Sequence, residues 1–223
     1  MCNQILGKIY DNSRSDSWSS SLRKKRFAFF ASMIDSLPNT STIKILDVGG
    51  RPAFWEKLGL LKQNFSQLEL TFINLESLNH PHFNCLIGDA RNMHQFLDQE
   101  FDIVFSNSVI EHVGDYQDQH QMANEIKRIG KRYFVQTPNL YFPIEPHFLF
   151  PFFQFLPVDV KVWFFTHFNM GWYPKMSVSE ASKLATQTQL LSKQKLINLF
   201  PEANLYEEKI LGLTKSLIVY SGW

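Results

Sequence analysis

The residues with chemical potential in this chain fall in short polar clusters, each closing an apolar run. Asp47, Gly49 and Gly50 end "IKILDVGGR" (43–51), and Asn74 and Glu76 follow "LELTFIN" (68–74). Asp89 and Ala90 belong to "GDA" (88–90), and Ser106, Asn107, Glu111 and His112 to "FDIVFSNSVIEHV" (101–113). Glu145 and His147 lie in "PIEPHF". Carboxylates and amides at strand ends can accept hydrogen bonds from sugar hydroxyls or amino groups. Paired glycines let a backbone approach a ligand closely and reach positive φ. The glutamates and histidines can move protons near neutral pH. Cys2 and Cys85 form neither a metal-binding spacing nor a disulfide framework, and the "HPH" at 80–82 is weak evidence of metal, so no metal site is expected.

The apolar runs read as the elements that hold these clusters. Strands are expected at 43–48, 68–74, 83–87, 101–106 and 132–136, with helix-like composition at 53–63, 91–98 and 115–129. Strands alternating with helices argue for a parallel sheet covered on both faces. A helix over 20–37 carries Phe27, Phe30, Met33, Ile34 and Leu37 at helical spacing; its basic run Arg23–Arg26 is expected on the solvated side. At the C-terminus, 203–211 and 213–220 are strand-like with only Gly212 between them. A parallel crossover needs a dozen or more residues, so these strands must pair antiparallel. Ser192 suits the N-cap of the helix before them.

Residues 141–173 hold 13 of the chain's 33 Phe, Trp and Tyr residues but only three Asp, Glu, Lys or Arg. This stretch is expected to be an insertion or lid after the fifth strand (141–175), too short for a core of its own, within a single domain over 1–223 whose first 40 residues are a helical segment. With 44% hydrophobic and 19% charged residues the chain is globular, and its formal charge of +1 gives no case for nucleic acid. No signal peptide or membrane-spanning run is apparent, which points to the cytoplasm, with peripheral membrane contact left open.

The turn Gly49-Gly50-Arg51-Pro52-Ala53-Phe54 lacks the third glycine of the dinucleotide fingerprint, which disfavours a nicotinamide cofactor. In order and spacing, "ILDVGG", "INLE", "GDAR" and "FDIVFSNSVIEHV" resemble the successive motifs of class I S-adenosylmethionine-dependent methyltransferases, small-molecule branch. The resemblance implies a three-layer Rossmann-like α/β sandwich, with a mostly parallel seven-stranded sheet and an antiparallel C-terminal strand. It implies S-adenosyl-L-methionine as cofactor: Asp47, Gly49 and Gly50 beside the methionine portion, Asn74 or Glu76 at the ribose, Asp89 and Ala90 at the adenine, and Ser106 and Asn107 as floor. Two positions depart from the family. Arg51-Pro52 replaces a third small residue, and Asn74 stands where an acid is usual. Where some quinone methyltransferases carry a metal-binding glutamate, three positions before Glu111, this chain has Ser108.

Methyl transfer to oxygen requires removal of the acceptor's proton. His147 is the first candidate base, followed by Glu145, Glu111 and His112. The expected activity is methylation of a small or lipid-attached acceptor. The competing expectation is a non-catalytic module of the same fold that uses its aromatic insertion to bind a protein or membrane.

Overall fold

The structure, a computed structural model, describes residues 18–38, 42–57, 67–145, 148–171 and 173–223. Seven strands form the central sheet: β1 (Ile43–Val48), β2 (Leu68–Asn74), β3 (Asn84–Ile87), β4 (Ile103–Asn107), β5 (Tyr133–Pro138), and, after the short strands β6 (Ile144–Glu145) and β7 (Phe150–Pro151), β8 (Asn204–Ile210) and β9 (Leu213–Ser221). Their spatial order is β3-β2-β1-β4-β5-β9-β8, and β9 alone runs against its neighbours. The hairpin between β8 and β9 turns on Leu211 and Gly212, both at positive φ, as a tight two-residue connection demands. The expected fold class is the one observed.

The central strands β1, β4 and β5 alternate between two apolar layers, which explains their near-continuous hydrophobicity. On one face, Ile45, Phe72, Phe105 and Phe134 pack against α1 (Trp18–Asp35) and against Trp55 of α2 (Pro52–Lys57). On the other, Leu46, Val104 and Val135 pack against α3 (Tyr116–Ile129) and α6 (Lys193–Leu199). Asp115 caps α3 by accepting from the Gln117 and Asp118 amides, and Ser192 caps α6 by accepting from Lys195 N–H.

Three expectations are corrected. Residues 91–98 are turns rather than helix, because α3 side chains satisfy their backbone: Glu125 accepts from Met93 N–H at 2.6 Å, and Arg128 donates to the Phe96 and Met93 carbonyls at 2.8 and 3.1 Å. Arg26 is buried rather than solvated. Its guanidinium donates to Glu208, Asn107 and Gln136, and so ties α1 to the ends of β4, β5 and β8. The aromatic insertion does bury a small core. Phe148, Phe153, Phe165 and Met170 cluster with Ala181 and Ala185 of α5 (Val178–Gln187), borrowing that helix to complete it. The insertion itself comprises β6, β7, a 3-10 turn (Phe153–Phe155) and α4 (Val158–His167). Of the expected helix at 53–63, residues 58–63 lie outside the described residues.

Candidate functional site

A cleft of about 360 Å³ opens along the carboxyl ends of β1 to β4. In open parallel sheets this edge, where the strand order reverses beside β1, is where ligands bind. Its walls bring together Gly49, Asn74, Glu76, Asp89, Ala90 and His112 of the residues singled out in the sequence.

The first turn is built around a buried acid. Asp47 is almost wholly buried and accepts from the Trp55 indole N–H at 2.6 Å. Burial pushes its carboxyl up to about 7, against the opposing hydrogen bonds from Trp55 and the Gly50 amide. A Cβ on Gly50 would overlap that carboxylate, so only glycine fits above it. Gly49 has φ +77°, and a Cβ there would come within 2.6–2.7 Å of the Val109 methyls. Both glycines are thus explained by packing, and Gly49 also lines the cleft. Asp47 and Gly50 support the turn from behind and stand outside the lining residues.

Asn74, at the end of β2, donates from Nδ2 to the Gly50 carbonyl at 2.8 Å. The amide that replaces the family's acid therefore fastens the glycine turn, a bond that a carboxylate could not donate. Glu76 is exposed at the cleft mouth and retains a carboxylate for a hydroxyl partner. Asp89 is clasped by Arg91 through Nε at 3.0 Å and through the backbone amide at 2.9 Å. Arg91 also reaches Asp118 at 3.0 Å. The guanidinium holds the Asp89 carboxyl below its usual range.

Ser106 is buried, its hydroxyl 3.3 Å from the Val48 carbonyl, and Asn107 accepts from Arg26 at 2.5 Å. Neither lines the cleft. Ser108 does, with φ +56°, and its hydroxyl donates to Gln136 at 2.9 Å. The sequence reading missed Arg51, Arg91, Ser108, Val109 and Val113 as cleft-lining residues. The spacing of Val109 and Val113 about one helical turn apart, flanking the 3-10 turn (Ile110–His112), is the signal that could have found two of them.

The four candidates for proton transfer separate. His112 lines the cleft. Glu111 is buried and accepts from the Thr137 hydroxyl at 2.9 Å, while its backbone carbonyl accepts from Gln189 N–H at 2.7 Å. Glu145 is buried and accepts from Phe148 N–H at 2.7 Å. His147 lies outside the described residues. In the "HPH" stretch, His80 lies 3.2 Å from Glu56 and stacks on Phe83 at 4.6 Å between ring centroids.

The cleft suits an adenosyl group: an apolar floor from Val48, Ile73 and Val109, a close backbone approach at Gly49, and carboxylates at both the β2 and β3 ends. The family described as "Methyltransferase domain" matches residues 57–133, which run from the end of α2 to the start of β5. Among solved structures, the citrinin polyketide synthase CMeT domain superposes with TM-score 0.57 at 12% identity, covering 90% of this chain and 52% of that one. The PH0226 protein from Pyrococcus horikoshii OT3 gives 0.54 at 13%, covering 96% and 93%. The CurJ carbon methyltransferase gives 0.52 at 13%, covering 86% and 51%, so this chain spans about half the length of two of these relatives. No curated protein matches the chain. The chain thus carries a segment, residues 57–133, that is similar to the methyltransferase domain family, within a fold that it shares with these solved structures.

Proposed function

We propose that the chain transfers a methyl group from S-adenosylmethionine to a small or lipid-attached acceptor, at oxygen. The observation that carries this reading is the cleft, with its positive-φ glycine turn at one end and carboxylates along its rim. When bound, the cofactor supplies an electrophilic methyl on a sulfonium sulfur. The protein's part is then to hold donor and acceptor in line, to exclude water, and to take the acceptor's proton. Gly49 and Asp89 would hold the two ends of the cofactor, with Asn74 or Glu76 between them. Asp47 and Gly50 would act on the methionine end, and Ser106 and Asn107 on the floor, through the backbone they support. His112 faces the cleft and is a base for this step; His147, the first candidate base in the sequence, lies outside the described residues.

One observation favours a lipid-attached acceptor. Phe152, Phe155, Trp163 and Phe168 of the insertion remain about half exposed, although the insertion buries other rings in a core shared with α5. Exposed rings in such number mark a binding surface more often than bare solvent contact. The same rings are what favour the non-catalytic reading. Label from methyl-tritiated cofactor, followed into lipid and aqueous fractions of an extract, separates the alternatives. Enzyme-dependent label on an oxygen supports the proposal. Label on carbon or nitrogen overturns the oxygen assignment, and no label in any fraction favours the binding module.

A further inference from the structure

At the carboxyl ends of β4 and β5, Asn107 and Gln136 stand side by side in register. Side chains alternate along a strand, so both share the face of Phe105 and Phe134, which packs against α1. Arg26 of α1 donates to Asn107 Oδ1 at 2.5 Å and to Gln136 Oε1 at 2.9 Å. A guanidinium carries donors only, so it fixes both amides with their oxygens toward it. Asn107 Nδ2 must then face away from Arg26. It makes no hydrogen bond among the described residues, and Asn107 is half-buried rather than closed over. Gln136 Oε1 also accepts from the Ser108 hydroxyl at 2.9 Å, and Ser108 lines the cofactor cleft. The amide pair therefore adjoins that cleft at the end of β4.

Positive charge gathers at the same corner. Glu208 pairs with Ser216 and Lys209 with Thr214, so the register between β8 and β9 passes over Lys215. A bulge of this kind re-aims a side chain. Lys215 comes under the charges of Arg26, Glu208 and Arg23; burial first, and then Arg26, push its pKa down to about 8. Arg23 lies one turn before Arg26 on α1, and burial and the Arg26 charge lower its pKa too. Glu208 is the one carboxylate among the described residues of this group, and it accepts from Arg26 Nε at 2.9 Å. Three cations to one carboxylate, beside an outward-facing amide N–H, suit an oxyanion better than a cation or a neutral group.

We propose that this corner holds an oxyanionic group of the methyl acceptor, a carboxylate or a phosphate, with Asn107 Nδ2 donating to it and Lys215 and Arg23 supplying charge. This rests on the methyl-transfer reading and narrows its acceptor to an acid.

The test begins with calorimetric titration of the full chain by S-adenosylhomocysteine, so that failure of the cofactor reading shows there. Benzoate, phenyl phosphate and benzamide are then titrated by NMR, with and without S-adenosylhomocysteine at saturation. Benzamide keeps the ring and lacks the charge. A charge-assisted hydrogen bond should make one of the anions bind about tenfold or more tightly than benzamide. The tighter of the two tells carboxylate from phosphate. Asn107→Asp keeps an oxygen for Arg26 but turns the outward donor into an anionic acceptor, and should erase the preference. Should that variant fail to fold, Lys215→Gln decides in its place and should cut the preference at least threefold. Equal binding of anions and benzamide, no binding, or a preference unchanged in the deciding variant overturns the proposal. Loss of anion binding once S-adenosylhomocysteine is bound also overturns it, because the corner would then belong to the cofactor's own carboxylate.

Discussion

At the scale of single residues, the first turn gives the sharpest expectations. Gly49→Ala combines positive-φ strain, about 1–2 kcal/mol, with crowding against Val109. S-adenosylhomocysteine affinity should fall at least tenfold by calorimetry, and Val109→Ala in the same chain should restore part of it by removing the crowding but not the strain. Asp89→Asn breaks a clasp in which both partners are about a third exposed, so the change in stability should stay within about 1 kcal/mol. Cofactor affinity should fall several-fold nonetheless. Asp47 carries a pH signature. Its folded pKa of about 7 lies above the ordinary value of 3.8, so between these values the folded state holds a proton that the unfolded state has released. Stability should therefore decline as pH rises from about 4 to 7 and level off above. Thermal melts of Asp47→Asn, whose amide oxygen can still accept from Trp55, should show a flatter profile over that window.

At the scale of elements, Arg26 joins α1 to three strands through a buried ion pair with Glu208. Removing one partner strands a buried charge, at a cost of about 3–5 kcal/mol. Arg26→Ala should lower the denaturant midpoint accordingly, and Arg26→Met combined with Glu208→Leu should recover most of the loss. This contact was not legible in the sequence, where Arg26 sat in a basic run that looked solvated. A partner 182 positions away leaves no local trace. The turns at 91–98 escaped the reading for a related reason: the donors and acceptors that replace helical hydrogen bonds come from α3. By contrast, the parallel character of the sheet and the C-terminal hairpin follow from the alternation of strands with helices and from loop length, and both were legible. The insertion's core was only half legible, because α5 supplies two of its small residues.

At the scale of the molecule, the cleft forms because four strand ends meet at one edge, and that much could be read from where the polar clusters fell. Which side chains face the cleft could not. Ser108 itself takes positive φ and turns the chain into the cleft where Ser106 stays in β4, and Asp47 turns inward to Trp55. The exposed rings of the insertion make a surface that phosphatidylcholine vesicles can test. Flotation with the vesicles, lost on Trp163→Ser with Phe155→Ser, fits a lipid-attached acceptor, while a chain that never floats fits a soluble one. The central claim, that the cleft holds S-adenosylmethionine, is tested most directly by calorimetric titration with S-adenosylhomocysteine and NAD in parallel. The account predicts saturable one-to-one binding of S-adenosylhomocysteine, with about 2.7 kcal/mol of added stability at 100 times its dissociation constant, and no response to NAD. Binding and stabilisation by NAD with none by S-adenosylhomocysteine would contradict it.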